Sequence, residues 1–151
     1  MAMDQETPKA SSQSGLDYLR HLIADWRGSA MAETMNMRLI AVDDGTATFE
    51  AHPTSRYFNP QMRVHGGYAA TLIDSALGCA VQTKLAAGTG YGTIELKVNY
   101  VRKIDGSTGR LLCTGSVIHA GRTLLTADAR VTDEKGKIYA HGSGTFMVYP
   151  T

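Results

Sequence analysis

Between a polar loop that ends at Val64 and a glycine-rich stretch that starts at Gly88, residues Gly66 to Ala87 contain no proline and few strand formers. Ala69, Ala70, Leu72, Ile73, Ala76, Leu77, Ala80, Val81 and Leu85 point in nearly every direction of a helical wheel. A helix that is apolar almost all round has to be enclosed, because no side of it can face water at low cost. At 151 residues the chain is one domain by size and can bury about two thirds of its unfolded surface. The remainder must supply the enclosure.

That remainder carries mostly strand signal. Met35, Met37, Leu39 and Ala41 alternate with other positions, Asp43-Asp44-Gly45 makes a turn, and Ala47, Phe49 and Ala51 alternate on the return. This predicts a hairpin. A polar, proline-containing loop follows from Pro53 to Val64. After the helix, Ile94, Leu96, Val98 and Tyr100 alternate strictly with Thr93, Glu95, Lys97 and Asn99, until Asp105-Gly106 breaks the run. Strands then follow over Leu111 to His119, Thr123 to Thr132 and Lys137 to Tyr149, separated by Ala120-Gly121 and Glu134-Lys135-Gly136. The short connections predict a meander of antiparallel strands. Upstream, Leu16, Leu19, Leu22, Ile23 and Trp26 recur at helical spacing, with Gly28 as a stop, which predicts a short amphipathic lead helix. The layout is α+β: one long buried helix wrapped by one curved antiparallel sheet, in a single domain over 16–151. Residues 1–15 are polar, lack the apolar core of a signal peptide and read as a disordered tail.

Several function classes drop out. The formal charge is +1 and no basic run occurs, so nothing favours nucleic acid or a membrane surface as a partner. Cys79 and Cys113 form no CxxC and sit in apolar stretches, as buried free thiols of a reducing compartment, the cytoplasm, would. His21, His52, His65, His119 and His141 show no metal-ligand spacing, so no metal is expected. Ser75 lacks the GxSxG elbow of a serine hydrolase. Gly88, Gly90 and Gly92 precede a strand, whereas a phosphate loop follows one and opens a helix; they read as a flexible connection.

Asp74 stands out against this background as the only charged residue between Gly66 and Val81. A buried carboxylate needs a partner, a shifted pKa or a chemical role. Gly67, Ala70 and Gly78 share its helix face and leave room for something to approach closely. Two readings fit: Asp74 ties down a neighbouring loop or strand, or it belongs to a site. His65-Gly66-Gly67 lies at the helix start, where free N–H groups and the helix dipole favour an anion such as a carbonyl-derived oxyanion. Gly66 and Asp74 are eight residues apart, about 12 Å along one helix. One carbonyl group cannot meet both within about 3 Å. If both residues serve one reaction, they come from different chains, and the active site straddles a dimer interface.

Asn59-Pro60, then His65-Gly66-Gly67, then Asp74 nine residues after the histidine, resembles the signature of hot-dog-fold acyl-CoA thioesterases, most closely the PaaI-type subgroup that uses aspartate. The resemblance runs from about Met35 to Tyr149. It implies hydrolysis of an acyl-CoA or aryl-acyl-CoA, with Asp74 as general base or as nucleophile through a mixed anhydride. Gly66 would offer its N–H to the thioester oxygen, Asn59 would help hold the water or the thioester, and His65 would orient the loop. Thr93 falls, after a one-residue shift in loop length, where such enzymes keep a hydroxyl that assists water positioning. Relatives that use glutamate place a hydroxyl residue four positions after the acid, where this chain has Gly78. Arg102, Lys103 and Arg122, near strand ends and turns, are candidates to meet the CoA phosphates. No separate cofactor is implied, since CoA is part of the substrate. Such relatives assemble as dimers or as dimers of dimers. A non-catalytic acyl-CoA-binding domain and a hot-dog dehydratase or hydratase are the alternatives, but no DNA-binding segment precedes the domain and dehydratases pair histidine and acid differently.

Overall fold

The computed structural model describes residues 12–151; most of the stretch read as a tail, residues 1–11, lies outside them. The lead helix α1 spans Gly15–Ala24, with the Ser14 hydroxyl capping it by accepting the Asp17 N–H at 3.2 Å. Gly15 sits so close to the Gln82 carbonyl that a Cβ would not fit, and its N–H donates to Leu85 O at 3.0 Å. A second, five-residue helix, α2 (Ala30–Thr34), follows a Ser29 cap. It is too short to leave a periodic signal in sequence.

The expected hairpin is formed by β1 (Met37–Asp43) and β2 (Thr46–Ala51), with Gly45 at φ +80° in the turn. A loop leads to α3, Gly66–Gln82. Four strands complete the sheet: β3 (Thr89–Tyr100), β4 (Leu111–Ala120), β5 (Leu124–Asp133) and β6 (Ile138–Pro150). All pairings are antiparallel, in the order β1-β2-β4-β5-β6-β3. The curved sheet wraps α3, whose Leu72, Ile73, Ala76 and Leu77 are fully buried against residues such as Leu111, Ala127, Val131 and Phe146. Gly115 on β4 lets the helix approach, since a Cβ there would strike the Ala76 carbonyl.

Three expectations need correction. Only β4, β5 and β6 form a meander; β3 pairs with the outer side of β6, and β4 pairs with β2. Residues 101–110 are longer than a hairpin loop, typically about 2–5 residues, so they can carry the chain across the sheet. The helix stops at Gln82, not near Ala87. Thr83 ends it by turning its hydroxyl back to Ala80 O at 2.6 Å and accepting the Gly45 N–H at 2.8 Å, which ties the helix end to the hairpin turn. Finally, β3 begins at Thr89, so of the three glycines only Gly88, at φ +76°, serves the connection. Among the described residues no helix is long and apolar enough to cross a membrane.

Candidate active site

The start of α3 is built from backbone and held by side chains. His65 precedes the helix; its N–H donates to Tyr57 O at 2.7 Å, and its Nδ1 accepts the Gly67 N–H at 2.8 Å. A neutral ring that accepts at Nδ1 carries its proton on Nε2. The Gly66 N–H has no acceptor among the described residues, as expected for a first-turn amide. It belongs to a cleft of about 320 Å³ whose lining includes Asn59, His65, Gly66, Tyr100, Arg102 and Lys103. Asn59 Oδ1 accepts the N–H groups of Gln61 and Arg63 at 2.9 and 3.2 Å. It thereby closes its own turn, and its amide NH2 is the part left for a ligand. The Arg102 guanidinium donates to Ile138 O at 2.5 Å, and Lys103 Nζ lies 3.0 Å from Asp105. The Ser107 hydroxyl and then Lys103 hold the Asp105 carboxyl well below the usual carboxylate range. Arg122 does not join this group. It sits in the turn between β4 and β5, where Thr123 O accepts the Val148 N–H, and Val148 pairs with Tyr91 on the Thr93 side of β3.

Asp74 is half-buried and is not part of the Gly66 cleft. Thr93 Oγ1 donates to its Oδ1 at 3.0 Å. This contact departs from the strict alternation in sequence, which puts Thr93 on the polar face with Glu95 and Lys97. The ladder between β3 and β6 shifts between Thr93 and Glu95, a bulge that absorbs Ile94. Across it Thr93 pairs with the buried Phe146, and Leu96 pairs with Gly144, whose missing Cβ would lie 3.2 Å from Leu77. Thr93 and Leu96 therefore share the face towards α3, and the bulge aims the hydroxyl at the carboxylate.

Sequence reasoning missed two tyrosines on β3: Tyr100 carried only strand alternation, and Tyr91 lies between Gly90 and Gly92, which read as a connection. Tyr91 fills the space over Gly78, its oxygen 2.7 Å from where a Cβ would be, so the small residue there makes room for the chain's own strand. Burial, with lesser contributions from Cys79 and Asp74, pushes the Tyr91 hydroxyl up and keeps it protonated. Tyr100 lies over Gly66 and donates its hydroxyl to Gly66 O at 2.8 Å. Among the described residues no group of three or more His, Cys, Asp or Glu side chains could hold a metal ion.

The thioesterase superfamily matches residues 62–140, a span that contains α3 with both Gly66 and Asp74. The chain belongs to the thioesterase superfamily. Its fold is that of the hot-dog thioesterases: the Escherichia coli PaaI protein from the phenylacetic acid degradation operon superposes with a TM-score of 0.75 at 22% identity, over 91% of this chain and 95% of that one. A Halobacterium salinarum protein named as an esterase is 37% identical over 94 residues. That match takes in 57% of this chain and 60% of the relative, less than two thirds of its length. A 1,4-dihydroxy-2-naphthoyl-CoA hydrolase of Listeria monocytogenes is 21% identical, over 78% of this chain and 94% of the relative. The matched span contains the whole of α3, on which this chain carries the Asp74 carboxylate and the open Gly66 amide at separate points.

Proposed function

We propose that the chain hydrolyses acyl-CoA or aryl-acyl-CoA thioesters to the free acid and CoA. The observation that carries this reading is the separation on α3: a half-buried carboxylate held by Thr93, and an open Gly66 N–H about 12 Å away. One subunit then supplies Asp74 and Thr93, and Gly66 of the partner subunit supplies the oxyanion contact. Strand β3 offers the surface for that second copy. It is a sheet edge, and Ile94 (55%) and Leu96 (37%) are exposed on it, beside Met147 (47%) on β6. An open apolar edge of this kind pairs readily with another strand.

Asp74 takes a proton from water as the oxygen attacks the thioester carbon, and the charge that develops on the carbonyl oxygen is met by the Gly66 N–H. Collapse expels the CoA sulfur, which takes up the proton. Direct attack by Asp74 would form a mixed anhydride and release the CoA thiolate first, with water then cleaving the anhydride. Thr93 holds the carboxylate in place, His65 orients the glycine turn, and the Asn59 NH2 reaches towards the water or thioester. Arg102 and Lys103 lie beside Gly66, where the CoA phosphates would need cations, whereas Arg122 enters with the subunit that supplies Asp74. Thiol release from a panel of acyl- and aryl-CoAs tests the reading. Wild-type turnover lost in Asp74→Asn is expected. Mixing Asp74→Asn with Gly66→Pro should restore activity in heterodimers, and no recovery after confirmed subunit exchange would sink the shared site.

A further inference from the structure

Gly66 poses a mechanical problem that its neighbours resolve. Glycine has the widest backbone freedom of any residue, so an N–H on it is aimed only as well as the peptides on either side are held. The peptide before it, between His65 and Gly66, is held through its carbonyl, which accepts the Tyr68 N–H at 2.9 Å, and one residue further back the His65 N–H donates to Tyr57 O at 2.7 Å. The peptide after it, between Gly66 and Gly67, is gripped at both ends: its N–H by His65 Nδ1 at 2.8 Å and its carbonyl by the Tyr100 hydroxyl at 2.8 Å. The Tyr100 ring also lies against Gly66, with Cζ and the hydroxyl oxygen 3.1 Å from where a Cβ would stand. This ring blocks the side of the glycine that a side chain would occupy and limits movement of the backbone towards β3.

Resting on the hydrolase reading above, we propose that Tyr100 is a positioning residue: it clamps the Gly66 peptide from β3 so that the Gly66 N–H points at the thioester oxygen. Its placement is specific to this task. Tyr100 is more than half exposed, so the core does not depend on its ring, yet its hydroxyl reaches a helix carbonyl across the same cleft that holds the open amide. Thr93 holds Asp74 from the middle of the same strand. Strand β3 thus holds both chemical groups of α3, Asp74 from its middle and Gly66 from its last residue.

The test is Tyr100→Phe, which keeps the ring and removes the hydroxyl. Loss of one neutral hydrogen bond used in the transition state should lower kcat by about tenfold, with KM for the acyl-CoA within about twofold. A second measurement reads the contact itself. In an Asp74→Asn background, which retains bound thioester, the carbonyl stretch of the bound substrate should sit at low frequency through the Gly66 N–H, and adding Tyr100→Phe should move it back towards the free value. An unchanged kcat, or a loss shared equally by KM with an unmoved carbonyl band, would overturn the clamp. Tyr100→Leu, which also removes the ring, should cost more than Tyr100→Phe, and equal losses would count against the ring's part. Wild type that releases no CoA from any thioester would instead remove the hydrolase reading on which the clamp rests.

Discussion

Strands β1 and β3 both end the sheet, yet one edge is covered by the chain itself and the other is left open. Over β1 lies α1, whose Leu22 and Ile23, with Trp26 just beyond the helix end, face Leu39 and Ile40 across a small cleft. The Arg38 guanidinium stands 4.0 Å over the Trp26 ring and pairs at 2.7 Å with Glu50, its register partner on β2. Arg110 completes the cluster, 2.8 Å from Glu50 and 3.2 Å from Glu134. Burial opposes charge on Glu50, but the Arg110 hydrogen bond and the Arg38 and Arg110 charges outweigh it and hold the carboxyl below its ordinary range. Nothing comparable covers β3 among the described residues, and its Thr93 and Tyr100 hydroxyls are turned towards α3. The difference separates work: the β1 edge stabilises the chain's own fold, while the β3 edge carries the proposed site and the proposed face for a second subunit.

The largest effect expected from breaking this division lies on the β3 side. Asp74→Asn should cut thiol release by about 10²–10⁴-fold, the range for a lost general base. Ile94→Lys should come next: a charge on the open edge should turn a dimer into monomers in sedimentation and take most activity with it, while Trp26→Ala on the other edge should leave assembly and turnover unchanged. Thr93→Val should lower kcat by about tenfold while leaving the melting temperature near wild type. Glu50→Gln, on the sealed edge, should cost about 1 kcal/mol in denaturant unfolding at neutral pH, given partly exposed arginine partners. Because Glu50 ionises at lower pH in the folded chain than in the unfolded one, its contribution is complete at neutral pH and is lost as pH falls through the folded value. The gap between wild type and Glu50→Gln should therefore shrink as the pH drops below 4.5. The smallest effect belongs to Tyr68→Phe. The Tyr68 hydroxyl is buried with no hydrogen-bond partner among the described residues, so its removal should be neutral or stabilising by about 1 kcal/mol.

Much of the fold was legible in local pattern. The all-round apolar run announced α3, Asp43-Asp44-Gly45 announced the hairpin, and Ala120-Gly121 and Glu134-Lys135-Gly136 marked the turns of the β4–β6 meander. What escaped were features whose cause lies elsewhere in the chain. The five residues of α2 hold no full period. The partner of β3 could not be read from β3, because alternation specifies which face a residue takes but not which strand lies beside it.

The residues of the candidate site divide in the same way. Asp74 was conspicuous as a lone charge in an apolar helix, and Gly66 as an amide at a helix start, since helical periodicity and end effects are local properties of sequence. Their separation followed from the rise of the helix alone. Whether Thr93 meets Asp74 was decided by the β-bulge at Ile94, because a shift of one residue in the ladder reverses every side chain beyond it. Tyr100 reaches Gly66 only because β3 crosses the open side of α3 at that point, a placement set by pairing with β6 far along the chain. The sequence determined which groups carry charge, which amides stand free and which helix must be buried; the tertiary structure decided how those groups are aimed, since aim depends on register and strand order that no local stretch encodes.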